Sequence, residues 1–348
     1  MASSERAKWG QNMKVYEVGA QKGAESLRMA ERPEPKAAAG QAVVRFKANS
    51  LNYRDVMVLH GWYGPAKAET LIPVSDGAGE VVAVGEGVTR VKAGDRVAVS
   101  FFSRFVDGPW GPQYFGSDLG GGADGTLADM GAFPADALVK LPDSWTFEEG
   151  ACLPCAGVTA WNCIVEAGRA VAGDWILAIG TGGVSIFAAQ IAKAIGCKSV
   201  ITSSSDAKLA RAKSFGATAG VNYKTSADWP KAVTEAADGR GANVVVETAG
   251  PGNLEKSFAA AAFGGRISLV GGFEQATSPI NTMPMVGKGL TLRGVAVGSR
   301  KMMEDLIAAM VNSNQKPIID KVFGYSDAAA AYSYMRSQQH IGKIVIKH

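Results

Sequence analysis

A chain of 348 residues, 47% apolar and 20% charged, is long enough for two domains with separate cores and has the composition of a globular protein. Its net charge of +4 is spread thinly, with no dense Lys/Arg block to track a phosphate backbone, which argues against a nucleic-acid partner. Four cysteines, three of them between Cys152 and Cys163, do not describe a disulfide framework.

The opening stretch "MASSERAKWGQN" carries charges and no apolar run, so it is not read as a secretory signal, and a cytoplasmic protein is expected. The next hundred or so residues hold short β-rich runs separated by Gly and Pro, among them "QAVVRFKANSL", "GAGEVVAVGEGV", "DRVAVSFF" and "ALVKLPD". That spacing predicts a compact barrel-like unit rather than a parallel sheet. Residues 101–126 are too rich in Gly, Pro and aromatics for a regular element and read as a loop bordering a site. A helix is expected to start at Asp143 or Ser144. Cys152 and Cys155 form an isolated C-x-x-C, in a chain with three histidines and no second such pair, and are read as buried reduced thiols.

From Trp175 onward the rhythm changes. "WILAI", "KSVITS", "AGVNY", "NVVVETA", "GRISLVG" and "LTLRGVAV" alternate with helical stretches, which is the sequence form of βαβ units around a parallel sheet. Trp175 to Ala192 contains no charge and approaches the length of a membrane span, but its glycines, Thr181, Ser185 and Gln190 fit a buried strand followed by a helix. No membrane partner is expected. The tail from Asp320 adds one helix and one strand, too little for a further domain, and must dock on an earlier one.

"AIGTGGVS" follows an apolar strand and leads into a helix, the context in which a glycine turn holds a dinucleotide. Gly180 permits the sharp turn and Gly182 lets backbone approach a pyrophosphate. The amides of Thr181, Gly183 and Val184 lie where the positive end of the helix would meet it. Ser185 replaces the third glycine, at little expected cost. The following strand ends in Ser203, Ser204 and Ser205 with no acid before Asp206. A carboxylate there would bind the ribose hydroxyls of NAD and repel a 2′-phosphate. Its absence, with Lys208 and Arg211 nearby, favours NADPH over NADH.

With the turn stand "ANSLNYRD", "DGAGEVVAVGEGV", "KAGDRV", "LPCAGVTAW", "ISLVGG" and "HIGKIVI", in that order along nearly the whole chain. This series resembles the medium-chain dehydrogenase/reductase family. The resemblance implies an α/β protein: a GroES-like β-rich catalytic domain over residues 1–156 and 299–348, and a Rossmann-type doubly wound parallel sheet over 157–298. Zinc-dependent members carry ligands where this chain has Asn52, Ser75 and Cys155, and only the last can bind zinc. Residues 85–115, where a structural zinc lobe would stand, contain no cysteine. The chain therefore looks like the zinc-free, quinone oxidoreductase-like branch, with no metal site.

On that resemblance Asn52 and Tyr53 are the candidate catalytic residues, Tyr53 as donor to the substrate oxygen and Asn52 as orienter. Thr159, Tyr223, Thr248, Gly271, Gly272 and Val297 are expected at the cofactor, with Lys343 reaching the nicotinamide-side phosphate. Trp62, Tyr63, Phe102, Trp110 and Tyr114 sit on loops that could form an apolar substrate wall, but a lone aromatic is more often ordinary packing and none is taken as a site residue. The expected reaction is hydride transfer from NADPH to a quinone or an α,β-unsaturated carbonyl, on a small-molecule substrate, by a homodimer paired through "LTLRGVAV". An alcohol or aldehyde dehydrogenase of the same family, and an NADPH-binding protein without turnover, remain the alternatives.

Overall fold

The structure is a computed structural model and describes residues 12–272, 276–277 and 279–348. The N-terminal stretch read for targeting lies, but for Asn12, outside the described residues. Strands β1 (Asn12–Glu17) and β2 (Arg28–Pro33) form a short antiparallel ribbon. They are followed by β3 (Gln41–Leu51), β4 (Asp76–Val84), β5 (Arg96–Val99), β6 (Met130–Pro134) and β7 (Leu138–Lys140). Next come the strands that alternate with helices: β8 (Trp175–Ala178), β9 (Lys198–Ser203), β10 (Ala219–Asn222), β11 (Ala242–Glu247), β12 (Ala261–Leu269) and β13 (Thr291–Gly294). β14 (Ile319–Gly324) and β15 (Lys343–Lys347) close the chain.

Two larger sheets result. One is all parallel, in the order β10-β9-β8-β11-β12-β13, which reverses direction beside β8 and so opens a crevice at the carboxyl ends of β8 and β11. The uncharged run from Trp175 divides here into buried β8 and the helix Gly183–Ala194. Among the described residues no helix is long and apolar enough to cross a membrane. The other sheet runs β14-β15-β3-β4-β5-β7, with β6 also paired to β3. This is the GroES-like unit, and the tail strands complete it.

Register brings the site together. β3 and β15 pair Leu51 with Ile344, so their outward neighbours Asn52 and Lys343 face each other. β3 and β4 pair Ser50 with Asp76, which sets Ser75 beside Asn52. Residues 101–126 contain one short 3-10 turn and isolated bridges but no longer element, as expected.

The expected helix at Asp143 instead begins at Phe147. Thr146 caps it, with its hydroxyl accepting from the Glu149 amide while the Glu149 carboxylate accepts from the Thr146 amide. This helix runs into wide turns at Leu153–Gly157 and Asn162–Glu166, the kind of irregularity that re-aims side chains near sites. One apolar core joins the two sheets. Ala48, Ala78, Ala98 and Val139 belong to the same cluster as Ile176, Ile201, Phe187 and Leu306.

Candidate active site

The glycine turn forms one wall. Gly180 has φ +78°, where a side chain would strain the backbone, and its amide donates to Thr202 Oγ1 at 3.1 Å. A Cβ on Gly183 would stand 2.8 Å from the Lys343 side chain and 3.1 Å from Ala156, so close packing accounts for that glycine. Gly182 differs: a Cβ there would meet nothing within 4 Å. It caps the helix Gly183–Ala194, and Thr181 and Val184 flank it at the carboxyl edge of the sheet. Open space over a helix N-terminus fits a pyrophosphate.

Around the turn the candidate cofactor residues fall as follows. Thr248 Oγ1 donates to the Ile179 carbonyl at 2.7 Å, and Ser185 Oγ donates to the same oxygen at 2.6 Å. Ser185 thus adds a hydrogen bond within the turn that a glycine there could not make. A Cβ on Gly271 would overlap the Thr248 carbonyl oxygen, at 1.8 Å, so β11 and β12 can end this close only with glycine there. Gly272 is exposed beside it. Thr159 is buried and its hydroxyl donates to the Cys155 carbonyl at 2.7 Å. Val297 has φ +50°, rare for a β-branched residue, and its carbonyl is held by Asn162 Nδ2 at 2.7 Å.

Ser203, Ser204, Lys208 and Tyr223 gather at the ends of β9 and β10. Ser203 is buried, Ser204 and Tyr223 are exposed, and the Tyr223 amide donates to the Ser203 carbonyl. Lys208 Nζ donates to the carbonyls of Gln338 (2.7 Å) and His340 (3.1 Å), which ties the tail to this corner and leaves one ammonium proton for a ligand. Glu247, which sequence reasoning missed, is fully buried. It accepts from the amides of Ala249 (2.7 Å) and Gly250 (3.1 Å), from Asn253 Nδ2 (2.9 Å) and from Ser257 Oγ (2.5 Å), fixing the loop that carries Thr248.

The opposite wall is polar and largely dry. Asn52 precedes the helix Tyr53–Leu59, its amide donating to Asp55 Oδ2 at 2.8 Å, and half-buried Tyr53 opens that helix. Asn52 Nδ2 lies 3.5 Å from Ser75 Oγ, and Ser75 Oγ donates to Asp76 Oδ1 at 2.7 Å. The Cys155 amide donates to Asp76 Oδ2 at 3.2 Å. Lys343 is the correction here. Its Nζ, in a residue 2% exposed, turns inward to Leu51 O (2.7 Å) and Asn52 Oδ1 (2.5 Å), 3.8 Å from Asp76 Oδ2, rather than outward to a phosphate.

Burial pushes the Asp76 carboxyl upward against the pull of Lys343, and Asp55 upward against Arg54. Burial, then Asp76, also raises the Cys155 thiol and keeps it protonated. Arg54 anchors the rim. Burial opposes its charge, but Asp55, Tyr63 and Asp118 overcome this and hold it protonated, with Asp118 at 2.7 Å.

Beside this wall, Phe101, Phe102 and Phe105 pack with Tyr114, Cys155 and Val297, and the Trp110 ring lies tilted against Phe102 at 4.6 Å. Phe102, Trp110 and Tyr114 therefore form one apolar face at the cleft, a grouping that follows from loop folding rather than from any sequence period.

Comparison with known proteins agrees with this geometry. Residues 38–143 match the alcohol dehydrogenase GroES-like domain, and 183–312 match the zinc-binding dehydrogenase family. A zinc-type alcohol dehydrogenase-like protein of Schizosaccharomyces pombe is 40% identical over 316 residues, covering 88% of this chain and 91% of that one. The chain belongs to the medium-chain dehydrogenase/reductase family.

A putative alcohol dehydrogenase of Sinorhizobium meliloti 1021, from the same family, superposes with a TM-score of 0.89 at 37% identity, over 97% and 99% of the two chains. A quinone oxidoreductase of Pseudomonas syringae pv. Tomato DC3000 does so with 0.81 at 27%, over 97% and 100%. Members of this family are nicotinamide-dependent oxidoreductases, and the turn at Gly182 fits that cofactor. Zinc fits poorly. Asn52 offers an amide and Ser75 a hydroxyl, which leaves Cys155 as the one thiol at this wall, and among the described residues no group of three or more His, Cys, Asp or Glu side chains is placed to hold a metal.

Proposed function

We propose that this oxidoreductase works without metal and reduces a quinone or an α,β-unsaturated carbonyl with NADPH. The observation that carries this is the wall at Asn52. Where zinc-dependent relatives would polarise a carbonyl, the side chains are hydrogen-bond donors around a buried lysine. NADPH supplies a hydride when bound. The glycine turn would hold its pyrophosphate, and Ser204, Lys208 and Tyr223 would receive the 2′-phosphate. In an enone the hydride adds at the β-carbon, the C=C electron pair moves toward the carbonyl, and negative charge develops on oxygen. Asn52 Nδ2 and the Tyr53 hydroxyl donate to that oxygen, and a proton reaching the α-carbon through Tyr53 or water completes the addition. The aromatic face of Phe102, Trp110 and Tyr114 receives a flat apolar substrate and excludes water.

Metal-stripped protein is expected to consume NADPH with at least one member of a panel of quinones, enones and enals. Tyr53→Phe is expected to lower kcat by about 10- to 100-fold. No turnover on the whole panel overturns the reading. The higher identity to proteins named as alcohol dehydrogenases supports a second one, in which an alcohol or aldehyde is the substrate. Stoichiometric zinc in purified protein, with alcohol oxidation, selects it, whereas tight NADPH binding without any turnover leaves a non-catalytic binding protein. We also propose a homodimer joined through β13, which among the described residues has a sheet neighbour on one side only, in β12.

A further inference from the structure

Lys343 is a buried cation that the proposed reaction has not yet used. Its stem runs beneath Gly183, and its ammonium sits under the substrate wall rather than in the phosphate cradle. Two of its protons go to Leu51 O and Asn52 Oδ1 and the third side faces Asp76, so none remains for a coenzyme phosphate.

The bond to Asn52 has a directional consequence. An amide whose oxygen is held by a cation can present only its N–H groups elsewhere. One of these points toward Ser75 Oγ, which has given its own proton to Asp76 and can accept. The Asp76 carboxylate also draws on this amide, so Lys343, Ser75 and Asp76 together fix its orientation. Ser75 and Asp76 are fully buried and Lys343 is 2% exposed, whereas Asn52 is 8% exposed, so Asn52 is the member of this chain of bonds that a substrate oxygen can meet.

We infer that Lys343 is a positioning residue: it locks the Asn52 amide with its donors toward the substrate carbonyl and, through that amide, lends positive charge to the oxygen on which negative charge develops. The inference rests on the metal-free reductase reading for its chemistry, though the contact itself is testable without turnover.

Lys343→Met alone would strand Asp76, so the informative protein is the charge-silent pair Lys343→Met/Asp76→Asn. The Kd for NADPH is measured by fluorescence quenching, kcat and KM with an acceptor the wild type uses, and the Asn52 side-chain resonances in protein labelled with 15N-asparagine. Asn52→Asp, which lacks those resonances, identifies them. The expected result is a coenzyme Kd within about threefold of wild type, a kcat lowered about 10- to 100-fold, and a displaced Asn52 amide resonance. An unchanged kcat, or an unmoved resonance, overturns the inference. So does a coenzyme Kd raised about tenfold at unaltered kcat, which would make Lys343 a phosphate ligand after all. If the pair does not fold, Lys343→Gln/Asp76→Asn is measured in the same way, and the same outcomes support or overturn the inference. If the wild type turns over no acceptor, the reductase reading fails. The resonance then decides the Lys343 contact by itself: displacement supports it and no displacement overturns it.

Discussion

Ser204 is exposed at the end of β9, next to the corner where Lys208 is held by the tail, and no acid stands before Asp206. If the 2′-phosphate of NADPH lies there, a carboxylate at this position meets like charge, whereas the free ribose hydroxyl of NADH gains an acceptor. Ser204→Asp is therefore expected to raise KM for NADPH at least about tenfold and to leave or lower that for NADH, with kcat little changed. Steady-state kinetics with both coenzymes check it, and equal KM values for NADPH in the two proteins would remove the corner from the site. The missing acid is readable by counting residues along one strand. Lys343 is not, because its position depends on the pairing of Leu51 with Ile344, nearly three hundred residues apart in the chain. Ser185 escapes a sequence reading for a related reason: its partner, the Ile179 carbonyl, is adjacent only once the strand has turned.

The alternating strands and helices are legible because strands such as β8 and β11 carry short apolar runs and a helical stretch follows each of them. The wide turns around Cys155 and the left-handed Val297 have no local signature, since tertiary packing imposes them. Glu247 shows how an element can be set by one side chain. It ends β11 and its two carboxylate oxygens take four donors from the loop and helix that follow. Glutamine keeps the shape but turns an N–H toward one pair of those donors, leaving them unmet in a buried place. Glu247→Gln is expected to lose about 1–3 kcal/mol of stability. The same loop carries Thr248, so coenzyme affinity should weaken as well. A urea midpoint unchanged at equal slope, with an unchanged Kd for NADPH, would contradict this.

At the scale of the molecule, the tail is the tie. Gly342 pairs with Gly182 and its amide donates to the Thr181 carbonyl, β15 completes the GroES-like sheet, and Lys208 reaches over to Gln338 and His340. With the apolar core also shared between the sheets, calorimetry should show one unfolding transition rather than two. His340, in this tie, makes the transition pH-dependent. Its Nδ1 is buried with no hydrogen-bond partner among the described residues. Burial, then Lys208 and Lys343, push its pKa down to about 4 against the opposing pull of Asp320.

In the unfolded chain this imidazole takes up a proton near the ordinary histidine value of about 6.5. Between that pH and about 4 the unfolded state binds a proton that the folded state refuses, so stability present above the window is lost as pH falls through it. Asp55 and Asp76 act with the opposite sign. Their raised folded values favour the protonated fold, so acid works for them where it works against His340. The two effects separate in a difference measurement. The melting temperature of wild type minus that of His340→Gln, followed from pH 7 to pH 4, should fall as acid is added, because the carboxylate contribution cancels between the two proteins. A difference that stays flat across the window would mean that His340 is charged within the fold, and that the tie at Lys208 tolerates a second positive charge beside it.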